Sequence, residues 1–287
     1  MSELWGRVWS LQVGTIRLEG RAPGDRSADP AGLNVEFKVK KSLRREPNTA
    51  EVSIWNLNRD HRNAIAPLGD DAPVILCAGY EETGAEMIFS GDLSASPGEW
   101  SGPNVVTRLE GSDGGRAYRS TRVQRTFRAG TPVGTVLRAA VEAMGIGLGN
   151  LPEVQSSLEL TNSGSIYPGP TVLSGPARDQ VDRIVRSCGA TWSIQNGVFR
   201  IRTSGPARRS ALELTPRSGL IGSPTRQKDR NVVLVHAEAL LLPGAYPGRI
   251  VLLRSREIEG QYEISRAEYA GTTRGADWKV SLELREY

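Results

Sequence analysis

The most regular alternation of apolar and polar residues lies between Leu33 and Leu57. Every second residue on either side of a polar segment is apolar: Leu33, Val35, Phe37 and Val39 before it, and Ala50, Val52 and Ile54 after it. A period of two places such residues on one face of a β-strand. The segment between them, Ser42–Asn48, ends in Pro-Asn, which is typical of a turn. The sequence therefore predicts a β-hairpin with a basic connection longer than the commonest two-residue turn.

Short apolar or alternating runs, separated by Gly, Pro and Asn, recur on both sides of this hairpin. They extend from residue 1 to about 119 and again from 211 to the end of the chain, where they include a short strand over Tyr262–Ile264. Repeated short strands with turn signals between them predict a barrel or a sandwich. A short helix ending at Ile65 is the one interruption, with Asn58 as a good N-cap.

The middle of the chain has a different pattern. Apolar residues at helical spacing predict helices over 131–145, with Thr131 as N-cap, and over 176–189. Asn196-Gly197 lies between two strand-like runs, which is a strong hairpin signal. Residues 121–205 are therefore expected to form a small α+β domain between a β domain at 1–120 and a second β domain at 206–287.

Composition restricts the class of protein. The chain has 287 residues, 38% of them hydrophobic, and a net charge of +4. It has no apolar run long enough to span a membrane, and its first residues lack a signal-peptide pattern, so we expect synthesis in the cytoplasm. The two cysteines, Cys77 and Cys188, lie in apolar runs and are expected to be buried free thiols.

The sequence contains few candidate catalytic, metal-binding or phosphate-binding residues. The two histidines, His61 and His236, lie in no nucleophile or metal-binding motif. The glycines of Gly145–Gly149 follow a helix, whereas phosphate-binding glycine loops follow a strand and open a helix. We therefore expect no enzymatic activity, no cofactor and no metal.

The densest group of basic residues accompanies the hairpin: Lys38, Lys40, Lys41, Arg44 and Arg45. Two interpretations remain open, a solvated strand face with an exposed loop or a contact surface for an acidic protein partner. Nucleic acid binding is less favoured because no aromatic residues that could stack on bases are interleaved here. The candidate contact residues are Lys41, Arg44, Arg45 and Glu46.

A set of short motifs in a fixed order adds a resemblance. The motifs are Phe37-x-Val39, Pro47-Asn48-x-Ala50, Ile54-x-Asn56-Leu57, Ala78-Gly79-Tyr80, Ile88-Phe89-x-Gly91, Asp113-Gly114, Gly222-Ser223-Pro224, Pro247-Gly248 and Gly260-x-Tyr262. In this order they are similar to baseplate hub proteins of contractile-tailed bacteriophages.

The resemblance implies a mainly β (α+β) fold, with two tail-tube-like β-barrel domains and a small α+β insert domain between them. It implies a homotrimer whose six barrels match a hexameric tail tube, and therefore a symmetry adaptor in the virion tail baseplate. The implied partners are the tail-tube or tube-initiator protein, the central spike, and the baseplate wedge and tape-measure proteins. DNA would pass through the central channel only in transit, so few basic side chains are expected on the channel wall.

Two other functions remain open. A cell-wall-active or glycan-binding tail component would need clustered carboxylates or an exposed aromatic platform, for which Trp100 in a loop is the candidate. The hub of a phage-derived injection system would have the same fold and a different payload.

Overall fold

The computed structural model describes residues 6–21, 32–95, 98–101, 103–154, 166–202, 211–229 and 232–286. The chain divides into two compact units. The first unit comprises Met1–Leu43, Asn48–Ser112 and Arg208–Tyr287, and the second comprises Arg44–Pro47 and Asp113–Ala207.

The described residues of the first unit form strands almost entirely, with one helix, α1 (Arg59–Ile65). The strands before the second unit are β1 (Arg7–Val13), β2 (Ile16–Arg21), β3 (Asn34–Ser42), β4 (Thr49–Trp55), β5 (Pro73–Tyr80), β6 (Gly84–Ala95), β7 (Gly98–Ser101) and β8 (Asn104–Ser112). The second unit contains α2 (Gly115–Ser120), β9 (Arg122–Phe127), α3 (Val133–Ala143), β10 (Thr171–Pro176), α4 (Ala177–Ser187), β11 (Thr191–Gln195) and β12 (Val198–Arg202). The first unit then continues with β13 (Leu212–Leu214), β14 (Leu220–Asp229), β15 (Val232–Leu240), β16 (Ile250–Arg254), β17 (Glu259–Thr272) and β18 (Trp278–Glu286).

The strands of the first unit form one hydrogen-bonded path in the order β14-β15-β18-β17-β3-β4-β8-β6-β5-β1-β2. Strand β16 lies beside β17, β13 runs parallel to β16, and β7 pairs with β8. The mainly β prediction is confirmed. Among the described strands this path is open, running from β14 to β2, and the closure of each β region into its own barrel stays a prediction.

The antiparallel pair β3–β17 joins the beginning of the chain to its end. Phe37 is paired with Gly271, which is in turn paired with Trp278 on β18. The rings of Phe37 and Trp278 meet edge to face, with 5.3 Å between their centroids, and both side chains are buried. Such aromatic cross-strand contacts stabilise a sheet and fix its register.

The hairpin over 33–57 is confirmed. The alternating residues of β3 and β4 are buried, and Val35 pairs with Ile54 as Phe37 pairs with Val52. The capped helix is confirmed as well, because Asn58 Oδ1 accepts a hydrogen bond of 2.7 Å from the His61 backbone N–H.

The second unit packs α3 and α4 around a separate apolar core that includes Leu137, Leu173, Val181 and Phe199. The predicted hairpin forms between β11 and β12. Asn196 and Gly197 both have positive φ, 56° and 73°, as a type I′ turn requires.

Six elements differ from the predictions. Helix α3 begins at Val133, and the Thr131 hydroxyl donates to the Arg128 carbonyl instead of capping the helix. Strand β17 runs from Glu259 to Thr272, far beyond the predicted Tyr262–Ile264. Helix α2 and strands β9 and β14 were not predicted. The prediction that Trp100 lies in a loop was wrong, because its backbone lies in β7. In β14 the Gly222-Ser223-Pro224 run resembles a turn, yet the chain accommodates it as an irregularity between Ile221 and Thr225.

Candidate functional site

The connection between β3 and β4 is closed by a side chain. Asn48 is buried, with 3% exposure, and its Oδ1 accepts a hydrogen bond of 2.9 Å from the Ser42 backbone N–H. The Leu43 N–H donates to the Ser265 carbonyl at 3.1 Å. These two hydrogen bonds fix both ends of the loop and give Asn48 a structural role there.

The structure separates the four candidate contact residues. Lys41 is only 3% exposed, because it continues the alternation of Val35, Phe37 and Val39 toward the core. Arg44, Arg45 and Glu46 are exposed. If the alternation of apolar residues in the sequence is extended by one more step, it places Lys41 on the buried face. The sequence alone therefore already separates Lys41 from the other three candidate residues.

Arg45 forms an ion pair that the sequence did not predict. Its Nη1 lies 3.2 Å from Asp182 Oδ2, and the same oxygen lies 3.0 Å from Arg186 Nη2. The other oxygen of Asp182 accepts a hydrogen bond of 3.3 Å from Trp192 Nε1. One carboxylate thus holds the loop arginine, a helix arginine and an indole. The only part of this arrangement that the sequence indicates is the pair of Asp182 and Arg186, because residues at i,i+4 lie next to each other on a helix surface.

Lys38 and Lys40 of β3 lie on the opposite face from the core, and each is paired with a carboxylate. Lys38 Nζ lies 2.7 Å from Glu268 Oε1, and the hydrogen bond from Lys38 to Glu268 raises the pKa of Lys38. Lys40 lies 4.0 Å from Glu51. The basic residues of the hairpin therefore do not form one patch. Only the loop arginines project from its tip.

The Asp113-Gly114 motif has a structural role in the second unit. Asp113 is fully buried, and its two carboxylate oxygens accept hydrogen bonds of 2.6 Å from the backbone N–H groups of Asn196 and Gly197. Gly114 has φ 61°, a backbone conformation that favours glycine. The motif thus anchors the β11–β12 turn through charge-assisted hydrogen bonds.

No group of His, Cys, Asp and Glu side chains among the described residues is arranged to hold a metal ion. Cys188 is buried and Cys77 is half-buried. Within the described part of the chain, none of the helices combines the length and the apolar character needed to cross a bilayer. The backbone of Trp100 lies in β7, and its side chain lies outside the described residues.

Comparison with known proteins gives matches in structure alone. No protein-family model matches the chain, and no curated protein matches it in sequence. The 43 kDa tail protein of prophage MuSo2 from Shewanella oneidensis matches with a TM-score of 0.66 and 8% identity, over 98% of this chain and 97% of that one. A tail protein from Neisseria meningitidis matches with a TM-score of 0.60 and 10% identity, again over 98% and 97%. The chain has the fold of a phage tail protein.

The tail-protein fold is also found in an injection system. An E. coli component of the type VI secretion system, described as structurally similar to the T4 bacteriophage tail proteins gp27 and gp5, matches with a TM-score of 0.58 and 10% identity. That match covers 96% of this chain and 76% of the E. coli chain. At this identity the likeness establishes the fold, and function needs a separate argument. The resemblance inferred from the motifs is confirmed at the level of the fold.

Proposed function

We propose that the chain is a structural tail protein that serves as a baseplate hub, a trimeric adaptor between a hexameric tail tube and a central spike. The observation that carries the proposal is the match over 98% of this chain and 97% of the MuSo2 tail protein. An adaptor binds its partners through complementary surfaces, so it needs no reactive side chain.

The order of the proposed domains along the chain supports a trimer. In the proposal, residues 1–120 and 206–287 are the two tail-tube-like β-barrel domains, and 121–205 is the insert domain. Three copies would present six such domains to a sixfold tube. The strands of 1–120 and those of 206–287 form neighbouring parts of one hydrogen-bonded path, and the two parts meet at the pair β3–β17. This is expected of two related modules side by side.

The polar face of the β3–β17–β18–β15 sheet is the proposed channel wall. Its charges are of both signs, and some of them are paired: Lys38 lies 2.7 Å from Glu268, and Lys279 lies 3.3 Å from Glu238. Such pairs offer no continuous row of unpaired cations. A duplex passes such a wall without strong phosphate contacts, since those contacts dominate protein–DNA affinity.

The exposed tip of the β3–β4 loop is the proposed contact with a neighbouring subunit or with the tube. Arg44, Arg45 and Glu46 are its accessible charged residues. The tail tube or tube initiator and the spike are the main proposed partners, with baseplate wedge and tape-measure proteins as further ones. The proposed location is the tail baseplate of the virion.

Native mass spectrometry of the purified chain, alone and with the candidate spike protein, tests this function. The proposal predicts a mass of three copies, either alone or on addition of the spike, and a stable complex with the spike trimer. A chain that stays monomeric with the spike present, at concentrations in the tens of micromolar, contradicts the proposal.

A second candidate function is the hub of a phage-derived injection system, favoured by the match to the E. coli type VI secretion component. The genes that adjoin this one distinguish the two functions, since a phage tail requires capsid and packaging genes nearby. The third function considered, a cell-wall-active or glycan-binding tail component, predicts turnover or binding of purified murein by the isolated chain.

A further inference from the structure

A two-stranded ribbon in the second unit carries an exposed row of apolar side chains. Strands β9 and β10 pair antiparallel, with Phe127 opposite Thr171, and the bridge between Pro132 and Ile166 continues the same register beyond them. The paired strands cover residues 122–127 and 171–176, and one isolated bridge joins 132 to 166. We refer to 122–132 and 166–176 together as the ribbon.

Exposure alternates strictly along the second half of this ribbon. From 166 to 174 the even-numbered residues are exposed, and the odd-numbered residues are half-buried or buried. Ile166, Pro168, Pro170 and Val172 therefore share the outward face, and we refer to these four as the apolar row. Among the exposed large hydrophobic residues of the described chain, Val172 at 51% and Ile166 at 49% have the highest exposure.

The inward face already has its packing partners. Leu173 is fully buried and Val123 is 7% exposed, and both belong to the core of the second unit. The apolar row is thus an additional apolar surface that the core of its own unit does not use. Contiguous exposed apolar residues of this kind mark interaction sites.

The charge around the row indicates the kind of partner. Arg122, opposite Pro176, and Arg128, which follows β9, are exposed, whereas Arg125 is opposite Leu173 and belongs to the inward face. No Asp or Glu occurs between Gly114 and Val141 or between Ile166 and Arg178. The outward side of the ribbon therefore carries two positive charges, and the ribbon carries no negative charge of its own.

We propose that the apolar row is the docking site for a protein partner whose surface combines aliphatic residues with carboxylates. The aliphatic residues would cover Ile166 and Val172, and the carboxylates would pair with the flanking arginines. A twofold contact between two copies of this chain is disfavoured, because it would oppose arginines with arginines. The proposal does not depend on the hub function, since it rests on the ribbon alone.

Peptide binding to the full chain, measured by fluorescence anisotropy, tests this docking site. The probes are two labelled peptides of equal length, one of alternating leucine and glutamate and one of alternating leucine and lysine. We expect the glutamate peptide to bind at least about tenfold more tightly, and its affinity to fall on raising NaCl from about 50 to about 500 mM. Equal affinity for the two peptides would overturn the proposal.

Substitutions in the ribbon test whether the glutamate peptide binds at the apolar row. Ile166→Thr with Val172→Thr keeps β-branched residues at exposed positions, so the fold is retained while the affinity for the glutamate peptide falls about tenfold or more. Arg122→Gln with Arg128→Gln weakens binding and reduces its salt dependence. Val233→Thr, at an exposed valine on β15, is the matched control and leaves binding unchanged.

Two results would contradict the assignment. Unchanged peptide affinity in the Ile166→Thr, Val172→Thr variant would show that the row is not the docking site. Native mass spectra in which this variant, unlike Val233→Thr, dissociates an oligomer of the chain would show instead that a second copy covers the row.

Discussion

Phe37 and Gly271 face each other across the β3–β17 pair, and the Phe37 ring occupies the space that a Cβ at position 271 would need. The contact joins a strand from the beginning of the chain to one from its end. Gly271 is therefore required by packing, since its neighbours Phe37 and Trp278 are both buried.

Substitution of Gly271 by alanine tests this packing. The added methyl group forces the Phe37 ring to move within a filled core, and such overpacking costs about 1–3 kcal/mol. We expect urea unfolding to show a loss of this size. Gly169→Ala is the matched control, because no atom lies within 4 Å of its added Cβ. Equal unfolding free energies for the two variants would contradict the role assigned to Phe37.

Charge reversal at the loop tip tests the proposed contact with partners. Arg44→Glu with Arg45→Glu should block tail assembly, because two exposed cations at the contact become anions. The unfolding free energy should change by about 1 kcal/mol at most, since exposed ion pairs contribute little. Electron microscopy of particles from producing cells measures assembly, and circular dichroism monitors the fold. Arg17→Glu with Arg256→Glu, two exposed arginines elsewhere, is the control. Normal tails with the loop variant would refute the contact.

The Arg45–Asp182 pair is expected to order the loop tip without adding much stability. Asp182→Asn removes both ion pairs while its amide oxygen still accepts from Trp192 Nε1. Because Arg45 is about half exposed, at 49%, we expect a cost below about 1 kcal/mol but faster amide hydrogen exchange at residues 44–47. Asp179→Asn, whose partner is Arg178, is the control. Identical exchange at the tip in both variants would show that Asp182 does not hold the loop.

Stability at high pH is expected to depend on Tyr80. Burial raises the pKa of Tyr80 to about 12, above the value of about 10 for an unfolded chain. The folded state therefore binds the Tyr80 proton more tightly than the unfolded chain does. The stability that comes from this difference is complete below about pH 10 and is lost as the pH rises through about 12. Tyr80→Phe should lose less unfolding free energy over this range than the unmodified chain. Tyr246→Phe, at an exposed tyrosine, should behave like the unmodified chain. Indistinguishable pH profiles for the two variants would contradict this assignment.

The sequence predicted correctly those strands and turns that have a clear alternation of apolar residues or a clear turn motif. The alternation from Leu33 to Val39 predicted β3, and Asn196-Gly197 predicted the β11–β12 turn. Strand β17 was underestimated because Ala267, Ala270 and Gly271 obscure its alternation. Of these, Gly271 is required by packing against Phe37 of β3, which lies more than 200 positions away in the chain.

The candidate site was predicted only in part, for the same reason. The exposure of Arg44 and Arg45 follows from their place in a polar turn. The partner of Arg45 does not, since Asp182 is 137 residues away and only the tertiary fold brings the two together. The apolar row was also missed, because Ile166, Pro168, Pro170 and Val172 lie in a segment rich in proline and glycine that resembles a loop.

The copy number and position of the chain in assembled particles test the central claim most directly. Quantitative mass spectrometry of purified tails, combined with cryo-electron microscopy, measures both. The hub function predicts three copies per particle, at the end of the tube that bears the spike. A chain that is distributed along the tube in many copies, or that is absent from purified particles, would contradict it.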